Sequence, residues 1–164
     1  MKNILYTLFT LFLISSCTTE TVRDAKQETS HPKIYPDYVD VTIPVNIAPL
    51  NFCMADEKAL LIDAVVADNQ GNSLHSQGDE ALDFDIDDWH QILDNNRGKK
   101  LTVTVSAKYE DGWHTYRPFS ILVSNDSIDY GMCYRLIEPG YEVWSKMGIY
   151  ERDLSSFDER ALIE

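Results

Sequence analysis

The sequence predicts a mostly β fold: an antiparallel β-sandwich of immunoglobulin or fibronectin type, with one short helix and an irregular carboxy-terminal arm. Three observations predict it. Apolar and polar residues alternate in several short segments, turn sequences recur about every ten residues, and only one segment has a convincing helical pattern. Because helices and strands do not alternate regularly, a parallel βαβ sheet is not expected. The predicted sandwich covers residues 35–137.

The predicted strands fall into an opening strand and two hairpins. Residues 39–43 alternate valine and isoleucine with polar side chains until a proline ends the strand. Residues 60–67 and 73–77 flank an Asn-Gln-Gly-Asn turn and form the first predicted hairpin. Residues 101–109 and 113–123 flank a Glu-Asp-Gly turn and form the second.

The predicted helix covers residues 87–93. An aspartate can cap its first turn, and Asn-Asn-Arg-Gly at 95–98 can end it. Just before it, three aspartates at 83, 85 and 87 match the opening of a calcium-binding loop. However, Asp88 stands where that loop needs glycine and Asp94 where it needs glutamate. We therefore expect an acidic strand face there, and no metal site.

The amino terminus has the features of an export signal. Lys2 precedes an apolar stretch at residues 4–14, which is shorter than the roughly 20 residues of a membrane-spanning helix. The following L-I-S-S-C string resembles the lipobox of bacterial lipoproteins, although an ordinary secretory signal could also contain a cysteine. The resemblance implies that residues 1–16 are removed and that Cys17 is acylated. It predicts a lipid-anchored protein of the cell envelope, on the periplasmic or surface face of the outer membrane.

Charge excludes one class of partner. The formal net charge is −13, and loss of Lys2 with the signal leaves 13 basic and 27 acidic residues, a net charge of −14. Such a surface repels phosphate and no basic stripe offsets it, so nucleic-acid binding is not expected. Anionic lipid headgroups are repelled as well. Membrane attachment is therefore expected to depend on the lipid at Cys17.

Two segments lack a clear period. Residues 17–34 are polar and contain a proline, which predicts a flexible tether between lipid and domain. Residues 126–137 fit an edge strand slightly better than a helical face. Residues 138–164 carry many apolar residues without a period, which indicates an extended arm laid across another surface.

Two long strings resemble a known family. They are Y-P-D-Y-V-D-V-T-I-P-V-N-I-A-P-L-N-F at 35–52 and I-D-Y-G-M-C-Y-R-L-I-E-P-G-Y-E-V-W-S-K-M-G-I-Y-E-R-D-L-S-S-F at 128–157. Both are similar to the amino-terminal domain of bacterial envelope lipoproteins, described as cytochrome c biosynthesis or TolB-like proteins, in which a C-x-x-C-H haem-attachment sequence and a TolB-like β-propeller follow. This chain contains no C-x-x-C-H, so no covalently attached haem and no cofactor is expected in it. The resemblance implies a truncated form whose arm points toward a missing haem or propeller region.

The arm and its neighbourhood supply the candidate partner-docking residues. These are Arg135, Tyr141, Trp144, Met147, Tyr150 and Arg152. The arginines could form charge-assisted hydrogen bonds with a haem or propeller partner or another envelope protein. Alternatively, they pair with nearby acids of this chain.

Two further sets of residues are candidates for covalent chemistry. Cys53 and Cys133 could form a disulfide in an oxidising envelope, or they are two small buried thiols. The triplet Asp126-Ser127-Ile128 resembles the acceptor for bacterial O-glycosylation, which makes Ser127 a candidate, and a serine in a turn is the alternative.

Catalysis is not expected. The histidines at 31, 75, 90 and 114 lack metal-ligand spacing, and no nucleophile elbow, phosphate loop or dinucleotide fingerprint is present. Trp89, Trp113 and Trp144 could form a stacking platform for glycans, but aromatic residues in a small β domain more often lie in the core. The sequence thus predicts a noncatalytic, lipid-anchored interaction module. The alternative is a stand-alone surface lipoprotein that binds glycans or another ligand.

Overall fold

The computed structural model of the chain describes residues 19–55, 59–137 and 147–163. This part of the chain forms twelve strands and one helix. The strands are β1 (Lys26–Gln27), β2 (Ile34–Tyr35), β3 (Thr42–Ile43), β4 (Cys53–Met54), β5 (Leu61–Ala67), β6 (Ser73–Gly78), β7 (Lys100–Tyr109), β8 (Gly112–Thr115), β9 (Phe119–Val123), β10 (Gly131–Ile137), β11 (Met147–Asp153) and β12 (Glu159–Ile163). The helix, α1 (Ile86–Asp94), lies between β6 and β7 in the sequence.

The main sheet is built around β5 and β7. These two strands pair antiparallel from Leu61↔Lys108 to Ala67↔Thr102, and β6 pairs antiparallel with the other edge of β5. β7 is long enough to pair with two strands in succession: β9 runs along its first half and β8 along its second. Gly112, with φ of 124°, supplies the left-handed backbone conformation that the β7–β8 turn needs. Both predicted hairpins are therefore confirmed.

Two short strands join the main sheet in parallel. β1 pairs with β8 and β3 pairs with β9, so the sheet is mixed, whereas the sequence predicted antiparallel strands throughout. Parallel pairs cannot be closed by a tight hairpin and need a long connection. The chain meets this requirement, because β1 and β3 precede their partners by more than half of the described sequence.

The inner face of the main sheet carries the core. Its buried residues come from alternate positions of β5, β7 and β9, and they are Ile62, Ala64, Val66, Leu101, Val103, Val105, Ala107, Phe119 and Ile121. A second layer covers them, formed by α1, the two-stranded β2–β4 sheet and the loops around Val45 and Phe84. The chain is therefore mostly β with sandwich-like layers, as the alternating pattern predicted.

Helix α1 begins at an aspartate cap. The Asp85 carboxylate accepts hydrogen bonds from the backbone N–H groups of Asp87 and Asp88, both at 3.0 Å. These two acids also lie in the first turn, where the helix dipole favours negative charge. Trp89, Ile92 and Leu93 form the buried face of the helix. The predicted helix is confirmed.

We expect Asp85→Ala to lower the free energy of unfolding by about 1 kcal/mol, the usual cost of removing a helix cap. Urea denaturation followed by circular dichroism measures this change. Asp87→Ala is the matched control, because it removes an exposed acid of the same turn and leaves the cap in place. Equal losses in the two variants would contradict the capping role of Asp85.

The prediction that residues 17–34 form a flexible tether is wrong for residues 19–34. Residues 19–31, called the strap from here on, lie against the main sheet and include β1. Residues 34 and 35 form β2. The strap was missed because its attachment uses a two-residue parallel pair and polar side chains, neither of which needs apolar periodicity.

The strands β10, β11 and β12 form a separate antiparallel sheet, called the C-terminal sheet from here on. Its register runs from Gly131↔Asp153 to Ile137↔Met147 between β10 and β11, and a bulge interrupts the pairing of β11 with β12. The predicted edge strand within residues 126–137 is confirmed by β10. The predicted irregular arm is replaced by two regular strands over residues 147–163, and the rest of that arm lies outside the described residues.

Candidate functional site

The strap runs along the β8 edge of the main sheet. The backbone N–H of Glu28 donates to the carbonyl of Thr115 at 2.9 Å, and that of Arg117 donates to the carbonyl of Ser30 at 3.0 Å. These bonds continue the parallel β1–β8 pairing beyond Gln27, toward the carboxy-terminal end of the strap. The strap is thus held by backbone hydrogen bonds over several residues.

Glu20 is the first strongly held residue of the strap. The Glu20 backbone N–H donates to the side-chain oxygen of Gln77, and the Gln77 side-chain nitrogen donates to the Glu20 backbone carbonyl, both at 2.7 Å. The Lys108 ammonium donates to both carboxylate oxygens at 2.6 and 2.8 Å. The indole of Trp113 lies close enough to the Glu20 carboxylate to help lower its pKa. One residue therefore contacts β6, β7 and β8.

Trp113 is buried by the strap. Its cross-strand partner is Lys108, which places both side chains on the outer face of the main sheet, opposite the core. Trp113 is nevertheless only 7% exposed, although it does not belong to the core cluster under the inner face. This large aromatic ring, buried beside Glu20, adds apolar stabilisation at the place where the strap meets the sheet.

A buried carboxylate lies beside these contacts. Asp63 is 8% exposed on the outer face and accepts hydrogen bonds from His75 at 2.6 Å and from Gln77 at 2.9 Å. The same Gln77 amide nitrogen donates to Glu20, so one side chain links the buried acid to the strap. The network fixes the orientation of the Gln77 amide, and with it the position of Glu20.

His114 holds the strap at Glu28, near its carboxy-terminal end. Its Nδ1 lies 2.9 Å from Glu28, its Nε2 lies 3.1 Å from Asp111, and the ring packs against the edge of Tyr109 at a centroid distance of 5.3 Å. Each ring nitrogen therefore lies within hydrogen-bond distance of a carboxylate. The hydrogen bond between His114 and Glu28, together with that between Lys26 and Glu28, lowers the pKa of Glu28.

We expect acid to release the strap. Hydrogen bonds to Lys108 and His114 lower the pKa values of Glu20 and Glu28 below the ordinary glutamate value of 4.5. A lowered carboxylate pKa stabilises the docked strap above pH 4.5, and this contribution is lost as the pH falls through the lowered value. Hydrogen exchange, corrected for the intrinsic rate, should show protection of residues 26–31 decreasing below pH 4.5.

The control for this prediction is β7, whose amides lie in the centre of the main sheet. Their protection should not decrease over the same pH interval unless the whole domain unfolds. Glu28→Gln should remove part of the pH dependence, because the amide does not titrate. Protection of the strap that is independent of pH between 3 and 6 would contradict the prediction.

The C-terminal sheet is the second candidate surface. Every residue of β12 is exposed. Large exposed apolar side chains are also concentrated here, and those of the three strands are Met132, Leu136, Ile149, Leu162 and Ile163. The cross-strand pairs show that Met132 and Leu136 share one face, while Ile149 and Ile163 share the other. Both faces of this sheet therefore present apolar groups to the solvent.

Charged and aromatic groups surround these apolar side chains. The rings of Tyr134 and Tyr150 stack with centroids 6.1 Å apart, and the Tyr134 hydroxyl donates to the carboxylate of Glu159. On the opposite face, the Arg160 guanidinium donates to Glu151, with 2.6 Å between Nε and Oε2. These pairs connect all three strands through side chains as well as through the backbone.

The C-terminal sheet is attached to the main body at one end of β7. The Asn46 side chain exchanges two hydrogen bonds with the backbone of Ile128, at 2.8 and 3.0 Å. The Ala48 N–H donates to the carbonyl of Leu154 at 2.8 Å. These contacts follow β9, whose last residues lie beside the first residue of β7, Lys100. The strap residue Glu20, in contrast, lies at the other end of β7, where its carboxylate accepts a hydrogen bond from Lys108.

The predicted docking residues divide between described and undescribed positions. Tyr141 and Trp144 lie outside the described residues, as does the predicted lipidation site Cys17, and Met147 is the first residue of β11. Tyr150 and Arg152 lie on one face of the C-terminal sheet, and Arg135 lies on the other, opposite Ile149. The structure therefore brings the described candidates to one sheet but not to one face.

The cysteines do not form a disulfide. Both thiols are free, with Cys53 half-buried in β4 and Cys133 exposed on β10. The disulfide hypothesis is wrong for this structure, and so is the alternative of two buried thiols. Ser127 is exposed in the loop between β9 and β10, next to the anchored residue Ile128. Its O-glycosylation stays a prediction.

The acidic and aromatic motifs have structural roles here. Asp85 caps α1, and Asp83 accepts a hydrogen bond from Asn51 at 2.8 Å. Within residues 19–55, 59–137 and 147–163, no group of three His, Cys, Asp or Glu side chains could hold a metal ion. Trp89 is completely buried, and Trp113 lies under the strap, so neither ring is an exposed stacking platform. Trp144 is not described.

Comparison with known proteins identifies no relative. No family model, no curated protein and no solved structure matches the chain. Among the described residues, no helix is long and apolar enough to cross a bilayer.

Proposed function

We propose that this chain is a lipid-anchored, noncatalytic module of the bacterial cell envelope that binds a folded protein partner through its C-terminal sheet. The observation that carries the proposal is the exposure of large apolar side chains on that sheet, which include Met132, Leu136, Ile149 and Ile163. The lipobox-like sequence before Cys17 supports the membrane attachment.

Exposed apolar groups favour a protein partner on energetic grounds. Removal of apolar surface from water favours association, and part of this gain offsets the translational and rotational freedom that the two proteins lose. Soluble monomers rarely expose extensive apolar patches, and patches with a polar rim are typical of interaction sites. The Tyr134–Glu159 and Arg160–Glu151 pairs provide such a rim.

The edge strands favour a partner that can also pair with the sheet. The strand order β10-β11-β12 leaves β10 and β12 at the edges. An edge strand offers backbone donors and acceptors to a strand of another protein. The resemblance to envelope lipoproteins suggests a haem domain or a TolB-like propeller as the partner.

The alternative function, glycan binding on exposed tryptophans, has less support. It was predicted from three tryptophans, and two of them, Trp89 and Trp113, are buried. Sugar binding would then require the strap to leave Trp113. We therefore place the binding function on the C-terminal sheet.

Photo-crosslinking in intact cells tests the proposal. A photoreactive residue at Met132 or Ile149 should crosslink to the same envelope protein, whereas one at the exposed residue Ser73 of the main sheet should not. The crosslinked protein, once identified and purified, should bind the wild-type chain and lose most of its affinity for Leu136→Asp. Since Leu136 is exposed, this variant should keep its thermal stability.

Two outcomes would overturn the proposal. Crosslinking of the chain only to itself would assign the C-terminal sheet to self-association. Crosslinking no stronger at Met132 and Ile149 than at Ser73 would show that the sheet has no partner in the cell. Mass spectrometry of the native protein tests the membrane part, and an unmodified thiol at Cys17 would contradict it.

A further inference from the structure

We propose that the strap holds the β7–β8 end of the main sheet close to the bilayer, so that the domain has a fixed orientation and its C-terminal sheet points away from the membrane. This inference rests on the proposed acylation of Cys17. It assigns a membrane-facing surface to the end of the domain that includes Lys108, Glu110 and Asp111.

Only a short length of chain connects the proposed lipid at Cys17 to the docked strap. Glu20, the first strongly held residue, follows Cys17 by three residues. Three residues span at most about 11 Å when fully extended. A free tether over residues 17–34 would reach about 60 Å. Docking of the strap therefore brings the domain from a loose attachment into direct reach of the membrane surface.

Several hydrogen bonds attach the strap to the main sheet at Glu20. Two hydrogen bonds with Gln77 and two from Lys108 converge on this residue. Charge-assisted bonds such as those of Lys108 are about twice as strong as neutral ones. The Lys108–Glu20 ion pair is partly exposed and alone would contribute little, so the two hydrogen bonds with Gln77 are needed to hold Glu20 in place.

The strap and the C-terminal sheet are attached at opposite ends of β7. Glu20 contacts Lys108 near the end of β7, whereas the C-terminal sheet is attached beyond the start of β7, next to Lys100. Eight residues of β-strand separate these two lysines, a distance of about 26 Å. The long axis of the main sheet therefore separates the lipid end from the partner-binding end.

Charge does not supply this orientation. The membrane-facing end carries the exposed acids Glu110 and Asp111 beside Lys108, and Asp111 is paired with His114. Attraction to anionic headgroups is therefore not expected at this end. The covalent lipid and the docked strap hold the domain there, and the same orientation is expected on neutral phosphatidylcholine.

Fluorescence quenching measures the orientation directly. The native lipidated protein would be reconstituted in phosphatidylcholine vesicles that contain headgroup spin-labelled lipid, with a fluorescent amino acid at one of two exposed turn residues. Glu110 lies in the β7–β8 turn at the strap end, and Gln70 lies in the β5–β6 turn at the opposite end. We expect quenching at Glu110 to be several-fold stronger than at Gln70.

Two variants separate the strap from the lipid. Glu20→Ala should weaken the docked strap and reduce the difference between the two positions. Insertion of a long Gly-Ser segment after Thr18 should do the same while it leaves every contact of the strap in place, so it tests the inference even if Glu20→Ala folds poorly. A difference that persists after the insertion would overturn the inference.

Different results would contradict the fixed orientation and the lipid anchor. Equal quenching at Glu110 and Gln70 in the lipidated wild type would overturn the fixed orientation and leave lipid attachment intact. Lack of vesicle association together with an unmodified Cys17 would overturn the lipid anchor itself, and the inference with it.

Discussion

Trp89→Ala is expected to lower the free energy of unfolding by about 3–5 kcal/mol, the range for removal of a large aromatic side chain from a core. Trp89 is completely buried on α1, and its ring packs against Phe84 with centroids 5.6 Å apart. Its indole N–H donates to the carbonyl of Ile47 at 3.1 Å. The substitution leaves a cavity between helix and sheet and removes the donor that pairs with that carbonyl.

Urea denaturation measures the effect, with two variants for comparison. Trp89→Phe should cost less, because it keeps most of the ring volume and loses only the hydrogen bond and the outer ring atoms. Trp113→Ala should destabilise the docked strap more than the core, since Trp113 lies on the outer face. A loss for Trp89→Ala below that of Trp113→Ala would contradict the central position of Trp89.

Asp68→Ala is expected to have the next largest effect, larger than that of the helix-cap variant Asp85→Ala. The Asp68 carboxylate accepts hydrogen bonds from the backbone of Gln70 and Asn72 at 2.8 and 2.9 Å, and from the side chains of Asn72 and Asn96 at 2.8 and 3.2 Å. It joins the β5–β6 turn to the chain after α1. Alanine leaves all four donors without this acceptor, and Asn96 is only 2% exposed.

The stability difference between wild type and Asp68→Ala should depend on pH. Hydrogen bonds, above all that from the Asn72 side chain, lower the pKa of Asp68 to about 2 from an ordinary value of 3.8. A carboxylate with a lowered pKa stabilises the fold above pH 3.8, and this contribution is lost as the pH falls from 3.8 toward about 2. Urea denaturation at pH 6 and at pH 2.5 should show a smaller difference at the lower pH. A constant difference would contradict the role of the ionised carboxylate.

The parts of the fold that the sequence predicts well are those in which one face is buried. β7 has a buried inner face and a polar outer face, so its residues alternate, and β5 is recognisable as an apolar run that ends in a turn sequence. Asp85 before the apolar face of α1 marks the start of the helix in the same way. Burial on one side is the physical cause of each of these sequence signals.

The C-terminal sheet lacks that cause. Met132 and Leu136 face one side and Ile149 and Ile163 the other, and all four are exposed. With no buried face to select a period, the sequence of residues 147–163 does not alternate. An aperiodic apolar segment predicts an arm, but the structure forms strands, because β11 pairs with both of its neighbours.

The strap was missed for a different reason. Its contacts join residues far apart in the sequence, such as Glu20 with Lys108 and Glu28 with His114. Opposite charge was the only signal in the sequence, and it does not specify which acid meets which base. Tyr150 and Arg152 share a face of the C-terminal sheet, and their role in docking stays a prediction. Trp113 was a candidate for sugar stacking or for the core, and it is buried on the outer face instead.

The shared strand β7 has a mechanical consequence. The strap is paired to β8 at one end of β7, and the C-terminal sheet follows β9 at its other end. A pull between the proposed partner and the proposed lipid anchor would act nearly along the strands. Many hydrogen bonds then resist the force together in shear, whereas a sideways pull would open them one after another. Single-molecule stretching along these two directions should therefore give a higher rupture force for the first.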